Sequence, residues 1–148
     1  MTRIRTFDLR PVYVPNAIFT QIAVENASRM KHRRIYETIG LRYDDMACVA
    51  PVVADIKAYL EGSPDIAQSE TLMVNLVGFS ASSVDIMIYA FTRTTVWAEF
   101  HALKQEVLLE VAAIVQRHGA QIAFPTRTLH ISSDRPESPA WSAQPVKA

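Results

Sequence analysis

Cys48 is the sole cysteine in 148 residues, so no disulfide can close within the chain and no cysteine-based zinc site can be assembled. A single thiol fits a reducing compartment or a small side chain packed into a core. Glycine is scarce, four in all, and none sits in a loop that could cradle a phosphate. Net charge is absent too: fifteen basic residues balance fifteen acidic ones, which leaves no global field to attract nucleic acid or an anionic membrane. No apolar run approaches the roughly 20 residues that span a bilayer. The opening "MTRIRTFDLR" lacks the apolar stretch of a signal peptide.

Catalytic patterns are missing as well. His32, His101, His118 and His130 show neither H-x-x-x-H nor H-E-x-x-H spacing, and no cysteine or paired carboxylates stand near them. The serines of "GFSASSVD" lack the G-x-S-x-G elbow and read as a hairpin turn. "NAS" at 26–28 matches a glycosylation sequon, but no secretion signal accompanies it. The residues nominate no catalytic group, metal or cofactor.

What the chain does have is apolar content: 49% of it is hydrophobic and the mean hydropathy is +0.07. That is high for a small monomer and predicts that some apolar surface is covered by other subunits. Residues 3–25 read as β structure. "RIRTF" and "VYVP" flank a turn at "DLR", and "IFTQIAVE" alternates Ile18, Ile22 and Val24 onto one face. Three short strands bury little and leave edges open, as in a fragment of a larger β unit.

From residue 33 the pattern is regular. "RRIYETIGLRY" alternates Ile35, Ile39 and Leu41 as a strand. "CVAPVVADIKAYL" sets Val49, Val52, Val53, Ile56 and Leu60 at helical spacing, with Asp44 and Asp45 as possible caps. Pro51 requires that helix to begin late, near Cys48, or to bend. "TLMVNLVGF" and "SVDIMIYAFT" form a hairpin across "SAS". "VWAEFHALKQEVLLEVAAIVQRH" carries a stripe of Phe100, Leu103, Val107, Val111 and Ile114, with Thr95 as a plausible N-cap and Gly119 as the C-cap. "QIAFPTRTLHI" is extended, and residues 132–148, with three prolines and no periodicity, read as a disordered tail.

The order from 33 to 124 is therefore β-α-β-β-α-β, the split βαβ arrangement with both helices on one face of a sheet. In the hairpin, Val84, Ile86, Ile88 and Ala90 point one way while Met87, Tyr89 and Phe91 point the other, so both faces are apolar. Helices can cover one of them, and the other needs a neighbour. "RMKHRR" at 29–34 is the one dense basic cluster. It lacks interleaved aromatics, which favours a charged linker or rim over a nucleic-acid site.

"TRIRTFDLRPVYVPNAIFTQIAVENASR", "YETIGLRYDD", "GFSASSVDIMIYAF" and "GAQIAFPTRTLHI", in that order, resemble the cytoplasmic part of the small-conductance mechanosensitive channels, the MscS family. The most specific elements are "VPN" at 14–16, N-x-S-R at 26–29 and "FPTRT" at 124–128, within a resemblance that runs from about residue 2 to 131. Departures are Leu9 and Arg10 after Asp8, where relatives usually have Asp-Gly, Ala123 where many have proline, and the proline at 51.

The resemblance implies an α+β fold: a fragment of an all-β, Sm-like domain, then a ferredoxin-like βαββαβ sandwich and a short C-terminal strand. Its domains would be 1–28, 29–125 and 126–131, followed by the tail. It implies pore-forming membrane helices upstream, a ring of seven subunits on the cytoplasmic side of a bacterial inner membrane, and a hollow vestibule with side portals. The portal or domain junction falls on Asn26, Ser28, Arg29, Lys31, Arg33 and Arg34, and a barrel strand shared between subunits falls on Thr126, Arg127, Thr128, Leu129, His130 and Ile131. The implied function is a non-enzymatic one. This vestibule domain of a tension-gated channel, active in osmotic downshock, would support oligomerisation and filter solutes. The partners are copies of the chain and, through the missing helices, the membrane, with no nucleic acid and no cofactor. A free-standing ferredoxin-like dimeric enzyme or small-ligand regulatory module is the alternative, and it leaves the β fragment before residue 26 without a purpose.

Overall fold

The computed structural model describes residues 1–6 and 8–129, with the backbone alone for Ser28. His130, Ile131 and the tail at 132–148 lie outside the described residues. The fold is α+β, with antiparallel pairing in both of its sheets.

β1 (Thr2–Arg5) and β2 (Pro11–Val14) form a two-stranded hairpin, Thr2 opposite Val14. Its turn is not a two-residue one. The Thr6 N–H bonds to the Arg10 carbonyl at 3.0 Å, and Leu9 takes φ +65°, a left-handed conformation that a leucine adopts at a cost. The third strand expected at 18–25 does not form. Asn16–Thr20 is a short 3-10 helix and the residues after it are irregular, leaving Ile18, Ile22 and Val24 exposed. Alternation makes a strand only where a neighbouring strand accepts its hydrogen bonds, and among the described residues none lies beside this segment.

β3 (Arg33–Leu41), α1 (Val49–Gly62), β4 (Met73–Phe79), β5 (Val84–Thr92) and α2 (Trp97–Arg117) make the second unit, whose sheet has the order β3-β5-β4. β5 lies between the other two strands. Its Val84, Ile86, Ile88 and Ala90 are fully buried under the helices, while Met87, Tyr89 and Phe91, on the opposite face, stay half-buried. The core also takes Ile35 and Leu41 from β3, Val52, Ile56 and Leu60 from α1, and Val107, Val111 and Ile114 from α2. These are the residues that the two periodicities select, and each fully buried aliphatic contributes about 1.5–3 kcal/mol.

Pro51 is explained by where α1 begins. The helix starts at Val49, so Pro51 lies in the first turn, where backbone N–H groups have no intrahelical acceptor. A 3-10 stretch, Tyr43–Cys48, leads into it. Asp44 and Asp45 do not cap the helix. Asp44 pairs with Arg42 at 2.6 Å, and Asp45 accepts the Gln121 N–H at 2.8 Å. At α2 the N-cap is Val96 rather than Thr95, and the Thr94 hydroxyl accepts the Val96 N–H while donating to Glu99. The other end matches expectation: Gly119, at φ +71°, donates to Gln116 O at 2.9 Å, and Ala120 donates to Val115 O at 3.1 Å, a Schellman turn.

The extended segment expected after α2 makes a single bridge, Leu41 opposite Ile122, with Arg42 N–H on Gln121 O at 3.2 Å and Ala123 N–H on Gly40 O at 2.9 Å. Beyond it, residues 124–129 are exposed and in no regular structure.

Candidate functional site

The basic stretch at 29–34 begins in a short 3-10 turn, Ala27–Arg29, in which the Arg29 N–H bonds to the Asn26 carbonyl at 3.1 Å. Arg29 and Lys31 are exposed. His32 turns inward, its Nδ1 3.1 Å from the Thr92 carbonyl and its Nε2 3.8 Å from Glu70.

Arg33 and Arg34 part company, because successive strand residues face opposite sides of a sheet. Arg33 lies on the helix side. Its Nε donates to the Thr95 carbonyl at 2.7 Å, just before α2, and its guanidinium stands 4.8 Å from the Trp97 ring and 5.7 Å from Phe100. Arg34 lies on the open face, 5.6 Å from the Tyr36 ring and 5.8 Å from Tyr89, where Tyr89 also meets Phe91 edge-on at 5.4 Å. Cation–π contacts at exposed sites contribute about 0.5–1 kcal/mol each. The cluster is therefore not one basic patch: Arg33 ties β3 to α2, and Arg34 belongs to an aromatic sheet face. Alternation along a strand could have separated them from sequence, but the aromatic partners Trp97, Tyr36 and Tyr89 are visible only in the fold.

At the other end, Thr126, Arg127, Thr128 and Leu129 are exposed, Leu129 to 80%. The Thr126 hydroxyl turns back to the Phe124 carbonyl at 3.0 Å. Phe124 and Ile122 overhang a shallow cleft of about 590 Å³ along the end of α2, lined also by Ala112, Val115, Gln116 and Ala120. Its lining holds no ionisable group, which gives acid–base chemistry nothing to work with.

Elsewhere, Asp85 accepts from the Ser80 and Ser83 hydroxyls, and those two bonds, Ser80's first, hold its carboxyl below the ordinary 3.8. This network closes the β4–β5 turn. Burial pushes the Tyr59 hydroxyl up, with the carboxylates of Glu110, Glu106 and Asp65 adding to it. His118 Nε2 meets Asp55 at 2.8 Å, and the partly buried Cys48 thiol donates to the His118 carbonyl at 3.4 Å. Among the described residues no group of three or more His, Cys, Asp or Glu side chains comes together as a metal site. None of their helices is long and apolar enough to cross a membrane.

A sequence profile described as "Mechanosensitive ion channel MscS, C-terminal" matches residues 37–122, which is more than half of the chain and takes in nearly all of the β3–α2 unit. The chain belongs to the MscS family. It is 50% identical over 136 residues to the low conductance mechanosensitive channel YnaI of Escherichia coli, a match covering 92% of this chain and 40% of that one. An MscS family protein of Helicobacter pylori is 32% identical, over 89% of this chain and 26% of its own length. The chain thus spans less than half the length of these relatives. Among solved structures, Arabidopsis thaliana MSL1 matches with a TM-score of 0.77 at 26% identity, covering 83% of this chain and 45% of that one. The closed state of Helicobacter pylori MscS matches at 0.69 and 17% identity, over 88% of this chain and 50% of that one, a likeness of fold alone. Of these relatives, YnaI is named as a mechanosensitive channel.

Proposed function

We propose that this chain is the cytoplasmic vestibule region of a tension-gated channel subunit, holding subunits together and filtering solutes ahead of a pore formed by membrane helices outside this sequence. The observation that carries the proposal is the family match on the β3–α2 unit, flanked on both sides by segments rich in exposed apolar side chains. Ile4, Val12, Tyr13, Ile18, Ile22 and Val24 stand exposed before it, and Ile122, Phe124 and Leu129 after it. Such surface is what a ring interface covers.

In this reading residues 1–28 end a β domain, 29–125 form the ferredoxin-like domain and 126–131 join their symmetry mates in a barrel. The ring has seven copies and lies on the cytoplasmic side of a bacterial inner membrane. Arg29 and Lys31, exposed at the junction of the two units, stand at a portal rim and bias which ions gather there. The region neither senses tension nor catalyses a reaction, and the whole channel releases ions and small solutes on osmotic downshock.

Sedimentation velocity of the chain across a concentration series tests the assembly. Weak, concentration-dependent association into species larger than a dimer supports the ring, and a tight, closed dimer contradicts it. Nucleic-acid adaptor function is tested by heparin chromatography at low salt, where the expected result is no retention.

A further inference from the structure

β3 is an edge strand, and among the described residues its outer side meets only the bridge at Leu41. The bonds from Ala123 N–H to Gly40 O and from Arg42 N–H to Gln121 O fix which backbone groups face outward there: those of the even-numbered residues. They also fix the antiparallel register. Gly40 is opposite Ala123, so Thr38 is opposite residue 125 and Tyr36 opposite residue 127.

Residue 125 is a proline. It stands at the next hydrogen-bonding position of the ladder, where an N–H would have to reach the Thr38 carbonyl, and proline has none. A proline one residue earlier or later would have pointed its ring nitrogen away from β3 and left the ladder unharmed.

We infer that Pro125 is a stop that prevents the C-terminal segment from zipping onto the free edge of β3. Thr126–Leu129 is thereby kept off its own sheet. Without the stop, the segment's nearest partner is the edge of the same chain, tethered a few residues away, and capture there is favoured over pairing with any other copy by its high effective concentration. The consequence for a shared barrel rests on the proposed function, while the stop itself does not.

Amide hydrogen exchange by NMR on the 148-residue chain tests it. In the wild type the amides of Tyr36, Thr38 and Arg127 are expected to exchange fast, whereas Ile88 in the central strand is protected. In Pro125→Ala the three amides are expected to slow by about tenfold or more, as an extended ladder requires. Adding Thr126→Pro to that variant is expected to keep the protection, because residue 126 faces away from β3, and adding Arg127→Pro is expected to abolish it at Tyr36. Unchanged fast exchange in Pro125→Ala, with Ile88 still protected, overturns the inference. So does protection of Tyr36 and Arg127 in the wild type, a result that decides the matter even if the variant fails to fold. Sedimentation of the same samples reads assembly separately, so a failed ring and a failed stop give different results.

Discussion

Replacing Gly40 by alanine would place a Cβ 2.7 Å from Ser83 Cβ, 2.9 Å from Ser83 Oγ and 3.3 Å from an oxygen of Asp85. Gly40 lies on β3 directly opposite Asp85 of β5, and its carbonyl accepts the Ala123 N–H. The obstructing atom is a Cβ, fixed to the backbone, so no rotamer change of Ser83 removes the closest contact. Overpacking of this kind costs about 1–3 kcal/mol. Against it stands a gain of about 0.4–1 kcal/mol from restricting the unfolded chain. The net expectation for Gly40→Ala is a loss of about 0.5–2 kcal/mol, read from equilibrium urea unfolding. Ser83→Gly removes the obstruction but also a hydroxyl that donates to Asp85 at 2.7 Å, and alone it is expected to cost about 1 kcal/mol. The two changes occupy one site, so the double variant should be more stable than the sum of the two losses predicts, by about 1 kcal/mol. A neutral or stabilising Gly40→Ala, or effects that add within about 0.3 kcal/mol, would refute the reasoning.

Arg33→Ala is expected to cost about 1–2 kcal/mol of stability, since the guanidinium bonds to the Thr95 carbonyl and packs on Trp97, and Arg34→Ala about 0.5 kcal/mol. Equal losses in the same unfolding assay would show that the two do not play different parts. The Asp85 carboxyl titrates below the ordinary 3.8, so its bonds to Ser80 and Ser83 stabilise the fold fully above that value. That contribution is lost as pH falls through the folded-state value. Carbon-detected NMR titration should place Asp85 below 3.8 in the wild type and nearer to it in Ser80→Ala, and no difference between the two would exclude the Ser80 hydroxyl as the principal cause.

Much of the β3–α2 unit is legible from periodicity. The alternation of Val84, Ile86, Ile88 and Ala90 marks the buried face of β5, and the Phe100 to Ile114 stripe marks that of α2, because burial on one side leaves each pattern a single meaning. Gly119 is legible for a different reason: a left-handed residue after a long helix calls for a glycine. The failures share a cause. Ile18, Ile22 and Val24 alternate like a strand, yet a strand needs a neighbour, and local sequence does not say whether one is there. Pro125 was readable as an interruption, but its position opposite Thr38 depends on a register set by Ala123 and Gly40, more than eighty residues apart. Asp44 and Asp45 had the right chemistry for a cap and were engaged by Arg42 and Gln121 instead. At the junction, composition marked 29–34 as basic, whereas the division of labour between Arg33 and Arg34 follows from which side of β3 each occupies.

We propose that this region belongs to a channel opened by membrane tension. Its most direct test is patch-clamp recording from a bacterial membrane that lacks other mechanosensitive channels and contains the product of the full reading frame that includes this chain. Currents that appear with suction are expected, together with a change in ion preference when Arg29 and Lys31 are both replaced by glutamate. Correctly inserted protein that passes no current at any tension short of membrane rupture would contradict it.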